Sequence, residues 1–364
     1  MRVASIEAHS FRSLSRIRAE LGPGITAIAG PNASGKTNLL EALHFALSGR
    51  SFRTGDRRQL IAFGAKVARS EVELVDDDGS SHVLLASVSR GEGRRHLLDG
   101  EPAEPAAIAR SRPPTGIFSP DLLAVVKGPP GDRRAHLDAF VAARWPARSD
   151  LRRTFGQALA QRNALLARIA AAAAPLAELD AWDETLAAAA AALTAARGDA
   201  ADELAPPFAT LAAELGLGAA AELRYRPRCE PDPESVQAEL AQRRDGDLER
   251  GRTGTGPHLD ELALELDGHA LRRYGSQGQQ RTGLLALLFA ERAALLGSGV
   301  ACPLMLLDDV MSELDAEHRE LLADRLAGGG QSGVTAAAEA GLPAAAAEHV
   351  IRMPAAAGGL AAVA

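Results

Sequence analysis

The spacing of apolar positions changes several times along the chain, and each change predicts an element. Val3 to Phe11 predicts an edge strand ending in the turn Phe11-Arg-Ser-Leu14. Ile25 to Ala29 is a short β-prone run that stops at Gly30. From Thr37 to Leu47 the period becomes helical: Leu39, Leu40, Leu43 and Leu47 share one face, and Gly49 closes the segment. Residues 67–100 read as antiparallel hairpins, with turns at Asp76-Asp-Asp-Gly79 and Asp99-Gly100. From Arg133 to about Leu248 the pattern is mostly helical, in segments 133–145, 150–174, 176–196 and 199–215, punctuated by Pro146, Pro175 and Pro206-Pro207. No segment sustains the heptads of a long coiled coil. Strands around Leu223–Tyr225 and at Leu262–Leu266 follow. Then come an apolar helix from Arg281 to Ala294, a buried strand Pro303–Leu307, and a helix from Leu314 to about Leu326. Gln331-Ser-Gly-Val-Thr335 makes a poor apolar strand, and the glycine-rich stretch 328–333 reads as a frayed loop.

Three motifs lie on this pattern. Gly30-Pro-Asn-Ala-Ser-Gly35-Lys36-Thr37 fits the phosphate-loop pattern GxxxxGK[ST], with a strand before it and a helix after it. Its glycines let the backbone wrap phosphates, and the helix presents its N-terminal amides. Lys36 is expected at the β- and γ-phosphates of ATP, and Thr37 on magnesium. Asp308 and Asp309 end the apolar strand Pro303–Leu307. Asp308 is expected to reach the metal, and Asp309 to orient or deprotonate the attacking water. Ser276-Gln-Gly278-Gln279 stands directly ahead of a helix and offers a second anion cradle. Two strand-end aspartates or one glycine turn can each be merely structural. Together the motifs predict one ATPase head assembled from both ends of the chain, with a helical insertion.

Composition bounds this picture. The 364 residues allow one large or two medium domains. Cys229 and Cys302 are the only cysteines, which excludes a disulfide scaffold and a cysteine zinc site. No signal peptide is visible after Arg2, and the alanine tracts at 170–174 and 187–192 are too short to span a membrane, so a cytoplasmic protein is expected. Net charge is −7, yet the cations are unevenly placed. Residues 1–60 hold nine Lys/Arg against four Asp/Glu, and residues 108–163 hold ten against four. Lysine occurs only at 36, 66 and 127; its retention at 36 stands out against arginine elsewhere.

The combined motifs resemble the ABC-type ATPase heads of the SMC class, and more closely the RecF family of bacterial recombination mediators. The resemblance rests on Gly30 to Ala42, Gly49-Arg-Ser-Phe-Arg53, Phe118 to Asp138 and Gln161-Arg-Asn163. It continues through Gly256-Pro-His258, Ser276 to Arg281 and Leu307 to Asp315, spanning roughly residues 2–326. It implies an α/β fold: an ABC-type P-loop head with an antiparallel β-subdomain and an inserted helical lobe. The expected division is residues 1–132 and 249–364 for the two halves of the head, and 133–248 for the lobe or short arm. It implies ATP and Mg2+ as cofactors, slow ATP hydrolysis used as a switch, and Gly30, Asn32, Gly35, Lys36, Thr37 and Asn38 as nucleotide contacts. Ser276, Gly278 and Gln279 of a second copy would close on the γ-phosphate, and Asp315 would couple the two sites. The implied partners are duplex DNA with single-strand/double-strand junctions, RecR, and functionally the RecA recombinase. The implied setting is nucleoid-associated repair, replication, recombination and the SOS response. Arg50, Arg53, Arg57, Arg133 and Arg134 are the expected phosphate contacts on DNA.

Two departures qualify the resemblance. No glutamine occurs between Leu60 and Gly156, where many ABC ATPases carry a sensing glutamine. Asp309 stands where many use glutamate, which shortens the arm by about one methylene. The competing readings are another SMC-like or ABC transporter head, or a nucleotide-gated scaffold with little hydrolysis.

Overall fold

The computed structural model describes residues 1–91, 93–119, 123–218, 220–299, 303–339 and 342–355. Asp121 of the resemblance and Cys302 lie outside the described residues. In chain order the strands are β1 (Arg2–Phe11), β2 (Leu14–Glu20), β3 (Ile25–Ala29), β4 (Val67–Val75), β5 (Ser81–Ser89), β6 (Gly93–Leu98) and β7 (Glu101–Pro102). They continue as β8 (Thr115–Phe118), β9 (Ala221–Arg226), β10 (Glu261–Leu266), β11 (His269–Ala270), β12 (Leu304–Leu307), β13 (Gln331–Ala336) and β14 (Val350–Arg352). The chain divides into two compact units, one of Met1–Leu122 with Leu295–Ala364 and one of Leu123–Ala294. This division counts residues 249–294 with the second unit, because β10 pairs with β9 over six residue pairs. Grouping by sequence order had assigned them to the C-terminal half of the head.

The first unit holds two sheets. The parallel one runs β14-β3-β13-β12-β8, and the antiparallel one β2-β1-β4-β5-β6-β7. The helix Lys36–Ser48 is buried on several faces. Its Leu39, Leu40, Leu43 and Leu47 share a core with Val72, Leu74 and Leu84 of the antiparallel sheet and Leu304 and Leu306 of the parallel sheet. Each such leucine contributes roughly 1.5–3 kcal/mol by leaving water. The strand predicted at an edge, β1, is interior: β2 pairs on one side and β4 on the other. A strand's own pattern does not reveal how many neighbours it has.

Gln331–Ala336 is the larger departure from expectation. It is a fully buried central strand, parallel to both β3 and β12. Gln331 earns its place through hydrogen bonds: it donates to Val3 O at 2.6 Å and Gly22 O at 2.7 Å, and accepts from Val3 N at 2.8 Å. Gly333 leaves room for Leu40, whose side chain would lie 3.2 Å from a Cβ there.

The second unit is a helical body with a small sheet, β11-β10-β9. Two segments expected to be separate form one helix, Glu178–Glu214, which continues through Pro206 and Pro207. Buried Leu204, Phe208 and Leu211 hold the helix on either side of the prolines. Helices Pro130–Arg144, Leu151–Ala170 and Gln277–Gly297 match the expected helical stretches to within a few residues. Together the units make the expected α/β head with an antiparallel subdomain and an inserted helical lobe. Among the described residues, no helix is long and apolar enough to cross a membrane.

Candidate nucleotide site

The phosphate loop leaves β3 and enters the helix Lys36–Ser48 in the first unit. Both glycines are required by their surroundings. A Cβ at Gly30 would lie 2.7 Å from Met353 O. Gly35 has φ +96°, and a Cβ there would lie 2.9 Å from the Leu14 side chain. Lys36 Nζ donates to two carbonyls of its own loop, Gly30 O at 2.7 Å and Pro31 O at 2.9 Å. Burial lowers the Lys36 pKa, against the pull of Asp309 and Asp308. Ser34 Oγ is buried without a hydrogen-bond partner among the described residues, a donor left over in the loop. Asn32 is exposed on the loop.

The two ends of the chain meet at Thr37. Its hydroxyl lies 2.9 Å from each Asp308 oxygen, across 271 residues. Asp308 also accepts from Thr335 Oγ1 at 2.9 Å. The same Thr335 oxygen accepts from Asp309 N at 2.8 Å. Burial raises the Asp308 pKa, opposed by the Thr37 and Thr335 hydroxyls. Asp309 sits in the left-handed region at φ 52°, which turns the chain immediately after the strand. Thr335 is a site residue that the sequence reading missed. Its signal was a short polar side chain at the end of a core strand, and that strand had not been recognised.

A second layer holds the rim. Asn38 donates to Ser13 Oγ at 2.7 Å and accepts from Arg53 at 3.0 Å. Glu41 is fully buried, and a buried carboxylate requires partners. It takes a two-pronged bond from Arg12 at 2.8 and 2.9 Å, a hydrogen bond from Ser51, and Arg53 at 3.4 Å. Ser13, Ala33, Gly35, Lys36, Thr37, Asn38 and Arg53 line one open surface pocket. Arg53 therefore belongs to the rim of this pocket.

These groups fit a magnesium–triphosphate. A hydroxyl and a carboxylate are hard oxygen donors of the kind magnesium takes alongside phosphates. The leftover Ser34 hydroxyl and the glycine cradle suit phosphate oxygens.

Ser276, Gly278 and Gln279 lie in the other compact unit. Ser276 Oγ accepts from Gln279 N at 3.2 Å, and Gln279 Oε1 accepts from Ser276 N at 2.8 Å. This reciprocal pair is a capping box on the helix Gln277–Gly297. Gln280 donates to Leu271 O at 2.9 Å and locks the approach to the helix. Ser276, Gln277 and Gly278 are exposed.

Comparison with known proteins places the chain in a family. The family described as RecF/RecN/SMC N terminal domain matches residues 2–353. A protein of Anaeromyxobacter sp. described as DNA replication and repair protein RecF is 38% identical over 334 residues, covering 89% of each chain. The chain belongs to the RecF family. A RecF of Streptomyces avermitilis is 35% identical, over 94% of this chain and 95% of its own. A solved structure described as the recombination mediator protein RecF-ATP in the RecFOR pathway superposes with a TM-score of 0.82. It is 26% identical and covers 94% of this chain and 93% of its own.

Two expected DNA contacts have other duties in the second unit. Arg133 is only 4% exposed, pairs with Glu261 at 2.6 and 3.0 Å, and donates to Gly128 O at 2.9 Å. Arg134 donates to Asp260 O at 2.8 Å. The fold uses Arg133 inside the protein, where a phosphate backbone does not reach it.

Proposed function

We propose that this protein is an ATP-gated DNA-binding protein of recombinational repair, a weak ATPase whose nucleotide state controls assembly of two heads. RecF family membership supports the repair role and ATP use. The observation that carries the reading is the contact of Thr37 with Asp308. It joins a phosphate loop to a strand-end carboxylate across 271 residues, and it has no role in a mere glycine turn.

When ATP enters, Lys36 exchanges the carbonyls of Gly30 and Pro31 for the β- and γ-phosphates. Gly30, Asn32, Gly35 and Asn38 line the path of the nucleotide. Thr37 and Asp308 would hold magnesium, which would supply positive charge against the phosphates. Asp309 orients the attacking water and takes its proton. Ser276, Gly278 and Gln279 of a second copy close on the γ-phosphate. ATP therefore favours the paired state only if it binds the pair better than the single chain. The paired heads hold duplex DNA at a single-strand/double-strand boundary through phosphate contacts, recruit RecR and assist loading of RecA.

The test combines sedimentation with DNA binding, with and without ATP and magnesium. Lys36→Met should abolish ATP-driven pairing by removing nucleotide binding. Ser276→Arg should preserve ATP binding by the single chain and block pairing. Normal pairing by the Ser276 variant sinks the two-copy site, and normal ATP binding by the Lys36 variant sinks the phosphate-loop assignment.

A further inference from the structure

A segment of the first unit outside the nucleotide pocket carries an aromatic side chain in an unusual place. Asp56 accepts from Arg58 N at 3.0 Å and starts a short turn, Arg57–Leu60. Leu60 and Ile61 are buried in a cluster with Phe11, Phe45 and Val88. Arg12 N donates to Leu60 O at 2.8 Å, and Ala62 N to Ser10 O at 2.9 Å, which pins the backbone to β1. The chain then folds back sharply. Ala65 N donates to Ala62 O at 3.0 Å, and Gly64 has φ +78°, as the third position of a type II turn requires. Phe63 holds the second position and is 81% exposed. Its neighbours on both sides are anchored in the core, so the ring is displayed by a fixed support.

The charges close to it in the chain are three cations against one acid. Arg57, Arg58 and Lys66 are exposed and form no ion pair among the described residues. Asp56, the adjacent acid, is engaged in capping the turn. An exposed ring with three cations in excess of one acid close by in the chain fits the chemistry of a nucleic acid: a π face for a base and cations for the flanking phosphates. A continuous duplex hides its base faces in the stack. An unpaired base, or the last pair where a duplex is interrupted, offers one.

We propose that Phe63 stacks on the base exposed at a duplex edge, while Arg57, Arg58 and Lys66 hold the phosphates beside it. The inference rests on the DNA-binding reading above and adds the device by which an interrupted duplex is distinguished from a continuous one.

The experiment uses the full chain with ATP and magnesium and two DNAs: a gapped duplex, and a continuous duplex closed into a relaxed circle so that it has no ends and no unpaired bases. The gapped DNA carries 2-aminopurine as its first unpaired base. The unaltered protein should prefer the gapped DNA and change the probe's fluorescence. Phe63→Ala should lose about ten-fold in affinity for the gapped DNA and keep its affinity for the closed duplex. Phe63→Trp should retain the preference. Equal binding of both DNAs by the unaltered protein overturns the Phe63 inference and leaves DNA binding standing. So does a Phe63→Ala variant that weakens both alike or neither. Loss of association with a protein partner at unchanged DNA affinity overturns it in favour of a protein-docking residue. Failure of the unaltered protein to bind either DNA removes the DNA reading and this inference together.

Discussion

Three arginines of the second compact unit and two of the first are used in opposite ways. In the second unit Arg133, Arg162 and Arg197 are turned inward. Arg162 has no exposed surface and binds Asp183 at 2.7 Å, Asp247 at 2.7 Å and Thr253 at 2.9 Å. Arg197 is buried against Asp138 and Asp260. Arg133 is paired with Glu261. In the first unit Arg57 and Arg58 face solvent with no ion pair among the described residues, while Arg12 and Arg53 share one buried acid, Glu41. Similar local excesses of positive charge therefore mean different things. Arg133, Arg162 and Arg197 tie buried segments together, whereas Arg57 and Arg58 remain available to an external anion.

The largest expected effect tests the inward arginines. Arg162→Met leaves Asp183 and Asp247 buried, with Arg244 and Arg250 as their remaining cationic partners. Removing one member of a buried ion network costs about 3–5 kcal/mol. Denaturant unfolding of the full chain should show a loss of this order, whereas Arg57→Ala should stay within about 0.5 kcal/mol. A loss below about 1 kcal/mol for Arg162→Met would mean that the inward network contributes little.

A smaller effect sharpens the outward side. Each phosphate contact contributes about 0.9 to the slope of log affinity against log salt. Replacing Arg57 and Arg58 together by alanine should therefore weaken DNA binding and flatten the slope by about 2. Arg133→Ala should leave the slope unchanged and appear instead in the unfolding midpoint. A flattened slope for Arg133→Ala would erase the distinction between the units.

The same division explains what was legible in the sequence. Gly30–Thr37, the strand and helix flanking it and the Asp308 strand announce themselves locally, because glycine tolerance and apolar runs are properties of short segments. β13 does not. Its Gln331 and Thr335 are polar, and their burial makes sense only beside Val3, Gly22 and Asp308, which are distant in sequence. Thr335 was missed for that reason. The helix through Pro206-Pro207 is a similar case, since long-range packing of Leu204 and Phe208 outweighs a local breaker. Arg133 looked available because a basic run reads as surface, while its acid, Glu261, lies 128 residues away.

The smallest effect distinguishes the units by pH. His44 in the first unit has its Nδ1 out of solvent and without a partner among the described residues. Burial, then Arg112 and Arg50, push its pKa down to about 3. The fold keeps this ring neutral, whereas the unfolded chain takes up a proton as pH falls below the ordinary value of 6.5. His44 therefore lowers stability on acidification, by at most about 1.4 kcal/mol per pH unit for one proton. His136 in the second unit behaves in the opposite sense. Burial works against its charge, but Glu291 at 2.7 Å outweighs burial and raises the pKa. Its contribution is fully present below the unfolded value and is lost as pH rises through the raised folded value. Unfolding midpoints measured from about pH 5 to pH 9 should therefore respond at opposite ends. His44→Gln should flatten the acid limb, and His136→Gln the limb above neutrality. If both variants flatten the same limb, the contrast between a histidine set among arginines and one set against a carboxylate fails.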